Sequence, residues 1–143
     1  MLGSQSREVT MVNDYSVLLG EDDLITAKNI KSNIEQKGFR VINIVESGEE
    51  LIKSALYECP SLIITDISLK GQLDGIEAMA RVSEIREIPY IFITGYSDYI
   101  SLIKSYHLHP YNTFLKPFDI NVLNKTLEGM FETTENVSSY YLG

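Results

Sequence analysis

One cysteine, two histidines and 12 basic residues are all that this chain of 143 residues offers for disulfides, imidazole metal sites and phosphate-backbone contacts. Cys59 alone cannot form an internal disulfide, and its apolar setting beside Pro60 reads as a small buried thiol rather than a nucleophile. His107 and His109 are two positions apart, which on a helix turns them to different sides, so both read as surface residues and not as a shared metal site. Twenty acids against 12 bases give a net charge of -8 and a pI near 4.7. The clustered Lys and Arg that bind nucleic acid are missing. No stretch approaches the roughly 20 apolar residues of a membrane span, and no basic segment followed by an apolar one opens the chain. These absences predict a soluble, cytoplasmic protein that binds neither nucleic acid nor membrane.

What is present is a core for one domain, since 44% of the residues are hydrophobic and the length leaves no room for a second folded unit. Its centre is the run Ser61-Leu62-Ile63-Ile64-Thr65-Asp66, which stands between Pro60 and a loop rich in turn formers. An unbroken apolar run of this length is the pattern of a strand buried on both faces, in the middle of a sheet. Residues 1–13 carry no sustained period and are predicted to be a flexible lead-in, with the folded unit at 14–132 and a flexible tail or linker at 133–143.

Within the folded unit, strand and helix alternate. A strand at 15–19 stops at Gly20-Glu21-Asp22-Asp23, and Leu24, Ala27, Ile30 or Lys31, and Ile34 then recur at helical spacing as far as Gly38. Residues 39–45 read as a strand exposed on one side. Ser47 with Glu50 forms the signature of a capping box for a second helix carrying Leu51, Ala55 and Leu56 inward, and Pro60 ends it. A third helix over 75–86, capped by Asp74, is predicted to turn Ile76, Met79, Ala80 and Ile85 to the core. A strand at 89–94, a weaker helix at 97–106, a strand at 111–115 and a helix at 118–131 capped by Asp119 complete the series. Five such units require right-handed crossovers and give an α/β fold, a five-stranded parallel sheet with five helices on its two faces.

The residues at the carboxyl ends of these strands are Glu21 and Asp22, Asp66, Thr94 and Lys116. Open α/β sheets bind ligands at that end, because the departing loops diverge and leave a crevice. Converging carboxylates repel unless a cation sits among them, and an all-oxygen set suits a hard divalent ion such as Mg²⁺. A cation, a lysine and a hydroxyl around one carboxylate would position a phosphoryl group for attack by Asp66. Each residue has a plain structural reading as well: acids before a helix favour its N-terminal end, Asp66 and Lys116 could be turn and surface residues, and threonine is a common strand former. Those readings do not explain why all four types stand at one end of one sheet.

Through Leu18-Leu19-Gly20-Glu21-Asp22-Asp23, Ile64-Thr65-Asp66-Ile67, Asp74-Gly75-Ile76, Ile93-Thr94-Gly95 and Phe114-Leu115-Lys116-Pro117-Phe118, the chain resembles the CheY-like receiver domain of two-component response regulators. The resemblance covers residues 15 to about 131. It implies the strand order 2-1-3-4-5, which is the order of CheY itself. It further implies that Asp66 is the phosphoacceptor, that Glu21, Asp22, Asp66 and the Ser68 backbone carbonyl hold Mg²⁺, and that Thr94 and Lys116 contact phosphoryl oxygens. A cis peptide at Lys116-Pro117 is implied as well, as is a partner histidine kinase or phosphotransfer protein. A dimer through the face formed by the fourth helix, fifth strand and fifth helix is compatible with it, and the output partner stays open.

Two departures stand out. The loop after Asp66 has Lys70 where the family usually has proline and is one residue longer than the common form; this loop is similar to those of receivers linked to sensor histidine kinases. Thr113 stands where many receivers carry a switching aromatic, and the two-residue period of a strand puts Phe114 on the opposite face. Either the face around the fourth helix and fifth strand then moves little on activation, or Tyr111 or Tyr96 substitutes. Two rival functions remain. A Mg²⁺-dependent phosphatase with an aspartyl-phosphate intermediate normally has a second carboxylate two residues past the nucleophile, where this chain has Ser68, so at most slow self-dephosphorylation is expected. A flavodoxin-like nucleotide binder would need a Gly/Ser/Thr-rich loop after the first strand, where Glu21-Asp22-Asp23 would repel a phosphate.

Overall fold

The computed structural model describes residues 15–96 and 99–142, with side chains only as far as 131 in the last helix. Its elements are β1 (Tyr15–Gly20), α1 (Leu24–Glu35), β2 (Phe39–Val45), α2 (Gly48–Glu58), β3 (Leu62–Asp66), α3 (Gly75–Ile85), β4 (Tyr90–Thr94), α4 (Tyr99–Ser105), β5 (Asn112–Leu115) and α5 (Ile120–Leu142). The strands form one parallel sheet in the order β2-β1-β3-β4-β5. The predicted α/β architecture and strand order are therefore observed.

Every residue of β3 and β4 is buried, as a strand covered on both faces requires. The period of two divides them between layers. Leu18, Ile63 and Phe92 pack with Leu51, Ala55, Met79 and Val82 of α2 and α3 and with Ile103 of α4. Val17, Leu19, Leu62, Ile64, Ile91 and Ile93 pack instead with Ala27, Ile30 and Ile34 of α1 and with Leu123 and Leu127 of α5. Fully burying each such aliphatic side chain contributes roughly 1.5–3 kcal/mol, so the two layers together fix which way each strand faces. In β5, Phe114 is buried in the second layer and Thr113 half-buried, while Tyr111, just before the strand, is 55% exposed, as the alternation predicted. Thr113 lines a cavity of about 500 Å³ with Ile103, His107, Leu108 and Pro110, and Tyr96 and Tyr111 both lie exposed outside the core.

Several local expectations are corrected. Cys59 is exposed: it caps α2 in the left-handed region (φ 46°), which turns the chain toward Pro60 and leaves the thiol outside. Leu24 and Ile85 are exposed at the two ends of their helices, and Val82 fills the inward place expected of Ile85. The Ser47 box is only half made, because Ser47 accepts from the Glu50 N–H but returns its own hydroxyl proton to the Glu50 carboxylate. The reciprocal box is at α3, between Asp74 and Glu77. α1 ends at Glu35, and Gly38 at φ 95° lets the chain turn into β2. The histidines lie in the connection from α4 to β5 and are exposed, not on a helix. α5 begins after the Asp119 cap, whose Oδ1 accepts from Asn121 N at 2.9 Å, and it continues to Leu142 where a stop near 131 was expected. No glycine or proline occurs in 130–142 to break it. The lead-in at 1–13 and the start of the fourth helix at Ser97 lie outside the described residues.

The two edge strands have asparagines that bond the following backbone: Asn43 Oδ1 accepts from Ile44 N (2.9 Å) and Asn112 Oδ1 from Thr113 N (2.7 Å). Glu35 Oε2 takes Val41 N at 3.2 Å.

Candidate functional site

Three adjacent strands end together. β1 delivers Glu21 through a backbone bond from Glu21 N to Val45 O (2.9 Å), β3 delivers Asp66, and β4 delivers Thr94. Lys116 follows β5 and is anchored to β4 by its N–H on Thr94 O (2.8 Å); its bond to Pro117 is cis. The Lys116 ammonium donates to Asp66 Oδ2 at 2.6 Å and to Glu21 Oε1 at 2.9 Å. The other carboxylate oxygens are also bonded: Ser68 N reaches Asp66 Oδ1 (3.0 Å) and Asp23 N reaches Glu21 Oε2 (3.1 Å).

Two glycines permit this closeness. A Cβ at Gly75 would stand 2.4 Å from Asp66 O, and one at Gly20 would stand 2.3 Å from Thr65 Oγ1. The backbone of α3 and the end of β1 can approach the site only because neither residue has a side chain.

Glu21 is only 1% exposed and Asp66 only 6%. Burial pushes the Glu21 carboxyl above the usual range and the Asp66 charge adds to this; the Lys116 ammonium and the Asp23 N–H oppose it without reversing it. Burial alone would lower the Lys116 ammonium, but its bonds to Asp66 and Glu21 outweigh that and hold it above its ordinary value. The lysine therefore stays charged between two carboxylates.

The structure brings the expected residues together unevenly. Asp66, Glu21 and Lys116 are brought into direct contact, and Asp22 is half-buried beside Glu21. Ser68 touches Asp66 through its N–H. The buried Thr94 hydroxyl turns away, accepting from Tyr96 N (3.1 Å) and donating to Tyr96 O (3.3 Å). Asp23, the third acid, caps α1 by accepting from Ile25 N and the Thr26 hydroxyl, and its backbone supports Glu21. Gly20 and Gly75 were not singled out for the site; their positions directly before Glu21 and after Asp74 were the signals available.

The family model of the response regulator receiver domain matches residues 17–128. The chain belongs to the response regulator receiver family. Among curated relatives, the probable transcriptional regulator ycf29 of Pyropia yezoensis is 32% identical over 112 residues, covering 76% of this chain and 50% of that protein. The transcriptional regulatory protein AfsQ1 of Streptomyces coelicolor is 27% identical over 124 residues, covering 87% and 54%. The chain spans about half the length of the curated relatives it matches. Among solved structures, the receiver domain of a modulated diguanylate cyclase from Desulfovibrio desulfuricans G20 matches with TM-score 0.72 and 28% identity over 84% of this chain and 95% of that one. The response regulator PhyR from Brucella abortus matches with TM-score 0.72 over 99% of this chain and 58% of that one; at 24% identity this supports the fold alone. The family match and the regulators among the curated relatives support two-component signalling. No helix among its described residues is long and apolar enough to cross a membrane.

Proposed function

We propose that residues 14–132 are a cytoplasmic phosphoacceptor unit in which Asp66 takes a phosphoryl group from a histidine kinase or phosphotransfer protein. The observation that carries this is the Lys116 ammonium held between Asp66 and Glu21 at the mouth of the sheet. The ammonium orients Asp66 Oδ2 at the open end of the sheet and is positioned to meet an incoming phosphoryl oxygen. In the transfer, an Asp66 carboxylate oxygen bonds to phosphorus as the phosphorus–nitrogen bond to the donor imidazole breaks. The electron pair of that bond leaves with the imidazole. Thr94 joins only if its hydroxyl leaves Tyr96, a rotation about one side-chain bond.

The donor set fits a divalent cation. Three carboxylates, Glu21, Asp22 and Asp66, stand against one ammonium, and burial, with the Asp66 charge adding to it, raises the carboxyl of Glu21. Among the described residues no three His, Cys, Asp or Glu side chains are gathered closely enough to hold a metal ion, so the reading rests on the chemistry of the donor set. Glu21, Asp22, Asp66 and the Ser68 carbonyl would hold Mg²⁺, which when bound neutralises charge on the phosphoryl oxygens. Asp23 is committed to the helix cap and is left out of this set.

The unit signals by altered surface contacts rather than by turnover, because Ser68 offers no general acid two residues past Asp66. Mass spectrometry after incubation with acetyl phosphate and Mg²⁺ tests this: one phosphoryl adduct is expected on the wild type and none on Asp66→Asn. Full labelling of the variant would refute the assignment, and rapid multiple turnover would favour a phosphatase.

A further inference from the structure

The loop from Ile67 to Asp74 is held to the sheet only at its ends. Ile67 N bonds Ile93 O (3.0 Å), and Gly75 N bonds Ile67 O (2.7 Å). Between them the chain arches toward the turn that joins β2 to α2. Lys70 N donates to Glu46 O at 2.9 Å, making a parallel bridge beside Ser47, and Leu73 O lies against Gly48 so closely that a Cβ there would stand 2.3 Å away. At the crown, Gln72 N donates to Glu49 Oε2 at 3.1 Å, and Gly71, at φ 88°, leaves room for the same carboxylate where a Cβ would meet it at 2.6 Å. The Glu49 carboxyl is held below its usual range by its own backbone N–H and then by that of Gln72. The arch thus closes around an anionic group, as backbone N–H groups in a curled loop do.

This clamp reaches both sides of the acidic site. The turn that leads into α2, whose first turn supplies Glu49, follows directly on Val45, whose carbonyl receives Glu21 N, and the arch comes just after Ser68, whose N–H meets Asp66. Ser68 is itself exposed, so its place depends on the chain on either side of it and not on packing of its own side chain. Ile67, fully buried and bonded through its N–H to Ile93 O, fixes the side before it. The half-buried Leu69 and the arch that follows it fix the side after.

We propose that Glu49 is a positioning residue for the acidic site: its carboxylate clamps the arch over residues 70–73 and so holds the Ser68 carbonyl where a divalent cation can use it. The inference rests on the proposed cation site of Glu21, Asp22, Asp66 and Ser68. Neither the length of the loop nor Lys70 is decisive here, because the Lys70 ammonium makes only an exposed pair with Glu46 at 3.2 Å.

The test uses the full chain, uniformly ¹⁵N-labelled, as wild type, Glu49→Ala and Glu49→Gln. Without metal, Glu49→Ala is expected to speed hydrogen exchange of the Gln72 amide while leaving the melting midpoint near that of wild type. Titration with MgCl₂, followed at the Ser68 and Asp66 amides, should show the Kd of Glu49→Ala raised roughly threefold to tenfold, below the 10–100-fold typical of groups that bond a ligand directly. Glu49→Gln keeps an acceptor for Gln72 N–H and should recover most of the affinity. Wild-type Kd in Glu49→Ala overturns the proposal and leaves the reading of Asp66 intact. Equal weakening by alanine and glutamine also overturns it, since the effect would then be one of charge. If the wild type neither responds to Mg²⁺ nor labels at Asp66, the proposed function fails and the inference with it.

Discussion

Replacing Lys116 by methionine removes the cation from a site where Glu21 is 1% and Asp66 6% exposed, and the loss can be bounded without knowing the local dielectric. Two buried carboxylates left together have an escape: one takes up a proton. Proton uptake by a carboxyl whose unfolded pKa is near 4.3 costs about 1.4 kcal/mol per pH unit, or about 4 kcal/mol at pH 7 and about 1 kcal/mol at pH 5. That is a ceiling, because the Lys116 side chain is 30% exposed and water can reach the vacated rim. We expect a loss of about 2–4 kcal/mol at pH 7, in the range seen when one member of a buried pair is removed. The sign follows from linkage. In the variant the folded state binds protons above the unfolded pKa, so its stability falls as pH rises through the window between the two values. The wild-type contribution of Lys116, whose folded pKa is raised, is complete below its unfolded value and is lost only in strong alkali. Urea denaturation of both proteins in EDTA at pH 5, 6 and 7 reads the difference. A deficit that stays constant from pH 5 to pH 7, or one below about 0.5 kcal/mol at pH 7, the size of an ordinary surface substitution, would refute this account.

Glu21→Gln carries the opposite sign: because burial raises the Glu21 carboxyl, its ionisation costs stability above the ordinary carboxylate range, so the variant should be more stable at neutral pH and no different well below pH 4. A gain that persists at acid pH in urea titrations counts against it. Two glycines should respond in opposite directions to alanine. Gly75→Ala meets the Asp66 and Ile67 backbone and should lose about 1–3 kcal/mol or more by overpacking, whereas Gly129→Ala, in an open helix position, should gain about 0.5–1 kcal/mol; equal shifts in thermal midpoint would show that backbone approach at α3 is not the constraint.

The parts of the fold that the sequence made legible are those decided by burial on two sides. The runs at 61–66 and 89–94 have no polar break, so their central place follows whatever their neighbours do, and the acid and hydroxyl at their ends come with it. Lys116 was legible for a different reason: it stands one step beyond an edge strand, before the proline that follows it in the motif Phe114-Leu115-Lys116-Pro117. What the sequence hid were choices among near-equal local bonds. Thr94 has two hydroxyl partners within one residue's reach and takes Tyr96 over the carboxylate. Ser47 and Asp74 are both followed three positions on by glutamate, yet only Asp74 completes the reciprocal box. Cys59 looked buried by its neighbours, and a single left-handed residue turned it out. Helical spacing likewise allowed Ile85 to point inward, and the end of α3 comes before the core can cover it.

A parallel sheet of five strands has two open flanks, and each flank is a row of donors and acceptors on which another chain could continue the ladder. Here the flanks are occupied from within. Asn43 and Asn112 fold back on the next N–H of β2 and β5, and Glu35 takes a further donor of β2, so an incoming strand meets groups already committed. Lateral growth would first have to break those bonds and find water or new partners for three polar side chains. Asn43, which helped to break the apolar pattern of β2, and Asn112 on the other edge therefore leave an incoming strand fewer free donors on each flank.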